Sequence, residues 1–114
     1  MLSPDLQRIE HIRDYCLDIE AAVQRHQRSY AEFEQNLEFQ YSVSFCLLQI
    51  GELVGGLTQE FREATANRMP WGPIRGMRNM VAHGYGSMSH DIIWETVVTD
   101  IPPLRAYCEE LLSA

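Results

Sequence analysis

Arg78, His83 and Tyr85 stand in the arrangement R-x4-H-x-Y, the one place in the chain where side chains suited to phosphate chemistry are gathered. Imidazole titrates near neutrality, so His83 can accept or donate a proton, each role contributing roughly 10²–10⁴-fold in a positioned site. A guanidinium stays charged and offers paired N–H donors, so Arg78 can oppose negative charge that grows on a crowded phosphate. A proton acceptor, a proton donor and fixed positive charge are what a ribose 2′-hydroxyl needs to attack its own phosphodiester without a metal. No paired carboxylates or second acidic cluster lie near the motif, so the chemistry is expected to be metal-independent and free of cofactors. Arg68 and Arg75 precede the motif and are candidates for further phosphate contacts at the rim.

The spacing also constrains geometry. At about 100° per residue, positions five apart on a straight helix are rotated by roughly 140°, so Arg78 and His83 do not share a face. Either the helix ends at Gly84 and His83 swings back, or two symmetry-related motifs face each other and build one cleft. The second arrangement is favoured, because a two-fold dimer concentrates arginine charge around a common groove. Tyr85 is seven residues from Arg78, about two helical turns, and would lie near it if helical geometry persisted.

The elements that must position these residues read as helices throughout. Ser3-Pro4-Asp5 is a helix start, with Ser3 as the expected cap, and Leu6, Ile9, Ile12, Cys16, Ile19 and Val23 form one apolar stripe through about residue 26. Ser29-Tyr-Ala-Glu32 reads as a capping box, after which Phe33, Leu37, Tyr41, Phe45 or Ser44, Leu48, Glu52 and Gly55 recur at helical spacing, with a break expected near Asn36. From Val43 to Leu57 more than one face is apolar, as for a helix covered by its own domain and by a second subunit. Gly55-Gly56 weakens that helix, and Thr58 is placed to cap a short one.

Residues 67–70 form a connection, and a helix is expected from Trp71 or Gly72 to His83 with Pro73 in its first turn and Ile74, Met77, Val81 and also Met80 on its apolar side. A last helix starts near Ser89 and buries Ile92, Ile93, Val97 and Ile101; Pro102-Pro103 must kink it or begin a new segment, with Asp100 available as a cap. No segment alternates as a strand does. The expectation is an all-α bundle of about five helices, one domain over residues 1–114.

Composition narrows the class of function. The 114 residues are 46% hydrophobic and 22% charged, with no repeat, low-complexity block or run of apolar residues long enough to span a membrane. The N-terminal residues lack the apolar run of a signal peptide, which points to the cytoplasm. Cys16, Cys46 and Cys108 are widely spaced and are expected to be buried, reduced thiols. A formal charge of −7 argues against nonspecific coating of nucleic acid, so any RNA contact must be local. All nine basic residues are arginines.

The block Trp71-Gly-Pro-Ile-Arg-Gly-Met-Arg78-Asn-Met-Val-Ala-His83-Gly-Tyr85 resembles the RNase motif of HepT-like toxins of the HEPN superfamily. Gln49-Ile-Gly-Glu52, Phe61-Arg62, Pro70-Trp71, Ile93-Trp94-Glu95 and Asp100-Ile-Pro102 extend the resemblance over nearly the whole chain. It implies a HEPN-type bundle forming a homodimer, an endoribonuclease toxin acting on RNA, with transfer RNA as the expected target class. Arg78 and His83 would be catalytic, Asn79 a supporting neighbour, and Tyr85 the residue that a partner minimal nucleotidyltransferase antitoxin modifies with AMP. Such a group would bring bulk and negative charge to the place a substrate phosphate must occupy. Arg78 can also pair with a carboxylate such as Glu52, which would orient it. Trp71 and Trp94 are expected to pack, and His11, His26 and His90 to be solvated. The alternative is a noncatalytic helical dimer that binds nucleotide or partners a nucleotidyltransferase, with the motif as an acceptor or docking surface.

Overall fold

A computed structural model describes residues 1–84 and 90–114, with only the backbone described at residues 80 and 82–84. Every element among these residues is helical: α1 (Ser3–Arg25), α2 (Tyr30–Gln35), α3 (Leu37–Gly56), α4 (Gln59–Ala64), α5 (Trp71–Gly84), α6 (His90–Glu95), a π-helical stretch (Thr96–Asp100) and α7 (Ile101–Leu112). Seven α-helices thus stand where about five are expected; the excess comes from short helices at the breaks. Asn36 ends α2 in extended geometry while its side chain caps α3 by accepting from the Phe39 N–H at 3.0 Å. Ser29 and Thr58 cap α2 and α4 as their sequence positions imply, accepting from the N–H groups of Glu32 and Phe61.

The four long helices lie in the order α5–α3–α1–α7, each packed along its neighbour. The stripe Ile9, Ile12, Cys16, Ile19 and Val23 of α1 is buried as expected, against Val43, Leu47, Ile50 and Val54 of α3 and Ile101, Leu104 and Cys108 of α7 in one core. Each fully buried isoleucine or leucine contributes about 1.5–3 kcal/mol. All three cysteines are free and buried. No helix among the described residues is long and apolar enough to cross a membrane.

Several expectations are corrected. Ser3 is the first residue of α1 rather than its cap; Leu2 occupies the cap position and no side chain caps there. Leu6 is outside the core, and its place in the stripe is taken by Asp5, which is only 1% exposed. The Asp5 carboxylate crosses to Thr58, accepting from its backbone N–H at 2.9 Å and its hydroxyl at 2.7 Å. In α3 the buried face runs through Phe39, Gln40, Val43, Ser44, Leu47, Ile50 and Val54, whereas Leu37, Tyr41 and Phe45 are exposed. The same helix therefore carries two apolar stripes, and only one belongs to this core.

Ile92 is exposed, while Ile93, Val97 and Ile101 are buried. His26 is not solvated: its ring stacks on Phe39 at 4.1 Å, and its Nδ1 lies 3.4 Å from the Glu32 carboxylate. His90 is half-buried edge-on to Phe33. Trp94 packs among Tyr30, Phe33 and Phe39. Pro102 and Pro103 sit in the first turn of α7, where their missing N–H groups leave the preceding carbonyls without the usual partners; the chain widens there into the π-helical stretch. Asp100 occupies the cap position of α7 in helical geometry and makes no side-chain cap.

Candidate functional site

The site arises where α3 and α5 cross. A Cβ at Gly51 would lie 2.7 Å from the Arg78 Cβ, 2.8 Å from its backbone nitrogen and 3.1 Å from the Arg75 carbonyl oxygen, so the two backbones meet where α3 has no side chain. The start of α5 is clamped by Trp71, which is buried against Phe61 and Tyr107 and donates its indole N–H to the Thr65 hydroxyl at 2.8 Å. Ile74, Met77 and Val81 face the core, which leaves Arg75, Arg78 and Asn79 on the other sides of α5.

Arg78 donates through Nε to the Glu52 carboxylate and through Nη1 to the Asn79 side-chain oxygen at 3.1 Å. Both members of the ion pair are about half exposed, at 43% and 51%, so the pair contributes only about 0–1 kcal/mol to stability. Its effect is geometric: a carboxylate on one edge and an amide on another fix the plane of the guanidinium. These residues, with Gly51, Gly55, Gly56 and Arg75, line an open polar groove of about 450 Å³. Phosphate is the kind of ligand such a groove suits, with a planar cation at its centre and glycine backbone as its floor.

The structure thus brings together Arg78, Asn79, Glu52 and Arg75. Arg68 lies elsewhere, in an ion pair with Glu110 at 2.6 Å and 4.6 Å above the Tyr107 ring. His83 has a helical backbone near the end of α5, and Tyr85 is outside the described residues. Because α5 runs unbroken through His83 to Gly84, positions 78 and 83 keep the rotation of roughly 140° that helical geometry gives them. Sequence reading missed the glycines as builders of the groove. Their signal was available, since a glycine inside an apolar helical pattern usually marks close packing.

A second groove, of about 540 Å³, lies between α5 and α7 and is lined mainly by Met69, Pro70, Pro73, Ile74, Met77 and Pro103. It is apolar and holds none of the residues singled out by the motif. Among the described residues, no three His, Cys, Asp or Glu side chains converge as metal ligands would.

Comparison with known proteins assigns the architecture to a family. The family model described as "Ribonuclease HepT-like" matches residues 6–111. A protein of Caldanaerobacter subterraneus subsp. tengcongensis, named as a candidate RNase, is 43% identical over 63 residues, which are 55% of this chain and 55% of that protein. The alignment thus spans about half the length of that relative. A candidate RNase of Methanocaldococcus jannaschii is 32% identical over 80 residues, 70% of this chain and 72% of that one. A candidate ribonuclease HepT of Thermococcus cleftensis is 27% identical over 104 residues, 87% of this chain and 94% of that one. No solved structure matches the chain significantly.

Proposed function

The chain belongs to the HepT-like ribonuclease family, and from that premise we propose that it is a metal-independent endoribonuclease toxin, one HEPN domain per subunit, that works as a homodimer. The observation that carries this reading is the groove at the α3–α5 crossing, in which Glu52 and Asn79 hold the Arg78 guanidinium in place beside glycine backbone. In the proposed reaction the RNA 2′-hydroxyl attacks the adjacent phosphorus, the 5′-oxygen leaves, and a 2′,3′-cyclic phosphate results. His83 moves the proton and Arg78 opposes the charge on the phosphate. Glu52 takes the Nε donor and Asn79 one Nη1 donor, so the remaining N–H groups of Arg78 are left for phosphate while the guanidinium stays oriented.

Two observations support a cleft shared by two subunits. Positions 78 and 83 are rotated by roughly 140° on a continuous helix, which favours a cleft completed by a second copy. The exposed stripe Leu37, Tyr41 and Phe45 continues at helical spacing through Leu48 to Glu52, so an apolar surface fit for a second copy leads into the groove. Family resemblance makes Tyr85 the acceptor of AMP from a minimal nucleotidyltransferase antitoxin, transfer RNA the substrate and the cytoplasm the site of action.

The test is purified, unmodified protein incubated with total RNA and EDTA, beside His83→Ala and Arg78→Ala. Cleavage by the parent alone, leaving 2′,3′-cyclic phosphate ends, is expected. Intact RNA, with mass spectrometry showing unmodified Tyr85, would instead favour the noncatalytic dimer that serves a nucleotidyltransferase. Silencing of a Tyr85→Phe variant by AMP transfer from an active cognate transferase would overturn the assignment of Tyr85.

A further inference from the structure

The polar groove does not end at the motif. One turn along α3 from Gly51, Gly55 lies beneath Arg75, whose Nε is 3.1 Å from the place a Cβ would occupy. The next residue, Gly56, lies beneath Arg8 of α1, with Nε 2.6 Å, Cδ 3.2 Å and Cζ 3.3 Å from the corresponding point. Arg78 and Arg75 of α5 therefore lie against Gly51 and Gly55 on one edge of α3, and Arg8 of α1 lies against Gly56 about 100° further round, at the last residue of that helix. Their environments differ. Arg13, Arg68, Arg78 and Arg105 are paired with carboxylates, whereas Arg75 and Arg8, like Arg25, Arg28 and Arg62, have no side-chain ion pair among the described residues.

In a chain with 16 acidic residues and nine basic ones, two arginines at one end of α3 with no direct carboxylate partner among the described residues add positive charge beside a groove that also holds Glu52. The glycines matter to this arrangement. Any Cβ at position 56 would collide with the Arg8 guanidinium, and with no side chain there the cation can lie on the backbone and turn its N–H edges to a ligand.

We propose that Arg75 and Arg8 form a phosphate track that continues from Arg78 and holds the backbone of single-stranded RNA to one side of the cleavage point. The inference rests on the ribonuclease reading and names how the substrate is gripped. Backbone contacts of this kind add affinity without sequence preference, and each lowers the dependence on salt when it is removed.

The experiment is fluorescence anisotropy with a labelled 20-nucleotide single-stranded RNA of mixed sequence and the intact protein carrying His83→Ala to prevent cleavage. In that background Arg8→Gln and Arg75→Gln are compared with Arg25→Gln, at the far end of α1, where the arginine has no side-chain ion pair among the described residues. Each of the first two should weaken binding and reduce the slope of log K against log salt by about 0.7, so that its deficit shrinks about 2.6-fold between about 50 and 200 mM salt. Arg25→Gln should change neither. Gly56→Ala should weaken binding with all charges retained, because it displaces Arg8. Circular dichroism melts establish that each variant is folded. Unchanged affinity and slope in Arg8→Gln and Arg75→Gln, or no RNA binding by the parent, overturns the track; the ribonuclease reading stands or falls separately, on cleavage of total RNA by the unmodified protein.

Discussion

Replacing Gly51 by alanine is the sharpest probe of the crossing that builds the site. A mid-helix glycine exchanged for alanine ordinarily stabilises by about 1 kcal/mol, because the unfolded chain loses freedom. Here the added methyl would sit 2.7 Å from the Arg78 Cβ and 2.8 Å from the Arg78 backbone nitrogen. Carbon atoms pack at about 3.5–4.0 Å, so α3 and α5 must part by about 1 Å. Overpacking costs about 1–3 kcal/mol, and the upper part of that range applies because backbone atoms cannot rotate away. The net loss is then about 1–2 kcal/mol, a fall in Tm of about 4–8 °C for a chain this size. Apart from the backbone of its own helix, no atom of the described residues lies within 4 Å of a Cβ added at Gly76 on α5. Gly76→Ala should therefore raise Tm by about 2–4 °C. The assay is a pair of circular dichroism melts, with RNA cleavage measured alongside. A displacement of about 1 Å at Arg78 should lower cleavage by up to about 100-fold in Gly51→Ala. If Gly51→Ala melts higher than the parent, as Gly76→Ala should, the close crossing is not what fixes Arg78.

Asp5→Ala removes two hydrogen bonds and strands the Thr58 N–H, so denaturant unfolding should show a loss of about 2–4 kcal/mol; a loss below about 0.5 kcal/mol would show that water replaces the carboxylate. The thiols give a pH dependence of known sign. Burial pushes Cys16 well up, Cys46 to about 11, with the Asp18 charge assisting, and Cys108 to about 12, from an ordinary 9.0. The unfolded thiols ionise first, so their contribution to stability is complete below about pH 9 and is lost as pH rises through about 11–12. Urea midpoints should be level from about pH 7 to 8.5 and decline above about pH 9. Thiol-reagent labelling at neutral pH should be slow in the native protein and rapid in urea; equal rates would refute the burial.

Much of this was legible because helix signals are local. Ser29, Asn36 and Thr58 mark breaks and caps through their own side chains, and Ile9 to Val23 announce a face by period alone. What escaped depends on partners distant in the chain. Asp5 reads as a residue suited to a helix start, yet its position is fixed by Thr58, 53 residues away. The stripe Leu37, Tyr41 and Phe45 has the same period as the buried one, and period cannot say which of two apolar faces meets the chain's own core. For the site, Arg78 and Glu52 were recognisable as possible partners. The glycines signalled close packing without saying what packs there, and Arg8 gave no signal at all, because close approach is a property of two helices.

The π-helical stretch Thr96–Asp100 has a consequence for the geometry of the C-terminal arm. α6 and α7 form an almost continuous rod that must satisfy two neighbours at once: Trp94 packs into the aromatic cluster of Phe33 and Phe39 with Ile93 buried beside it in sequence, while Leu104 and Cys108 belong to the seam with α1. A wider turn with one extra residue shifts the phase of everything before it relative to everything after it. Removing one residue from this stretch would leave a good α-helix yet rotate α6 by about 100°, and Ile93 would trade places with the solvent. The stretch is thus an angular adapter, and the two prolines after it mark where the new phase begins.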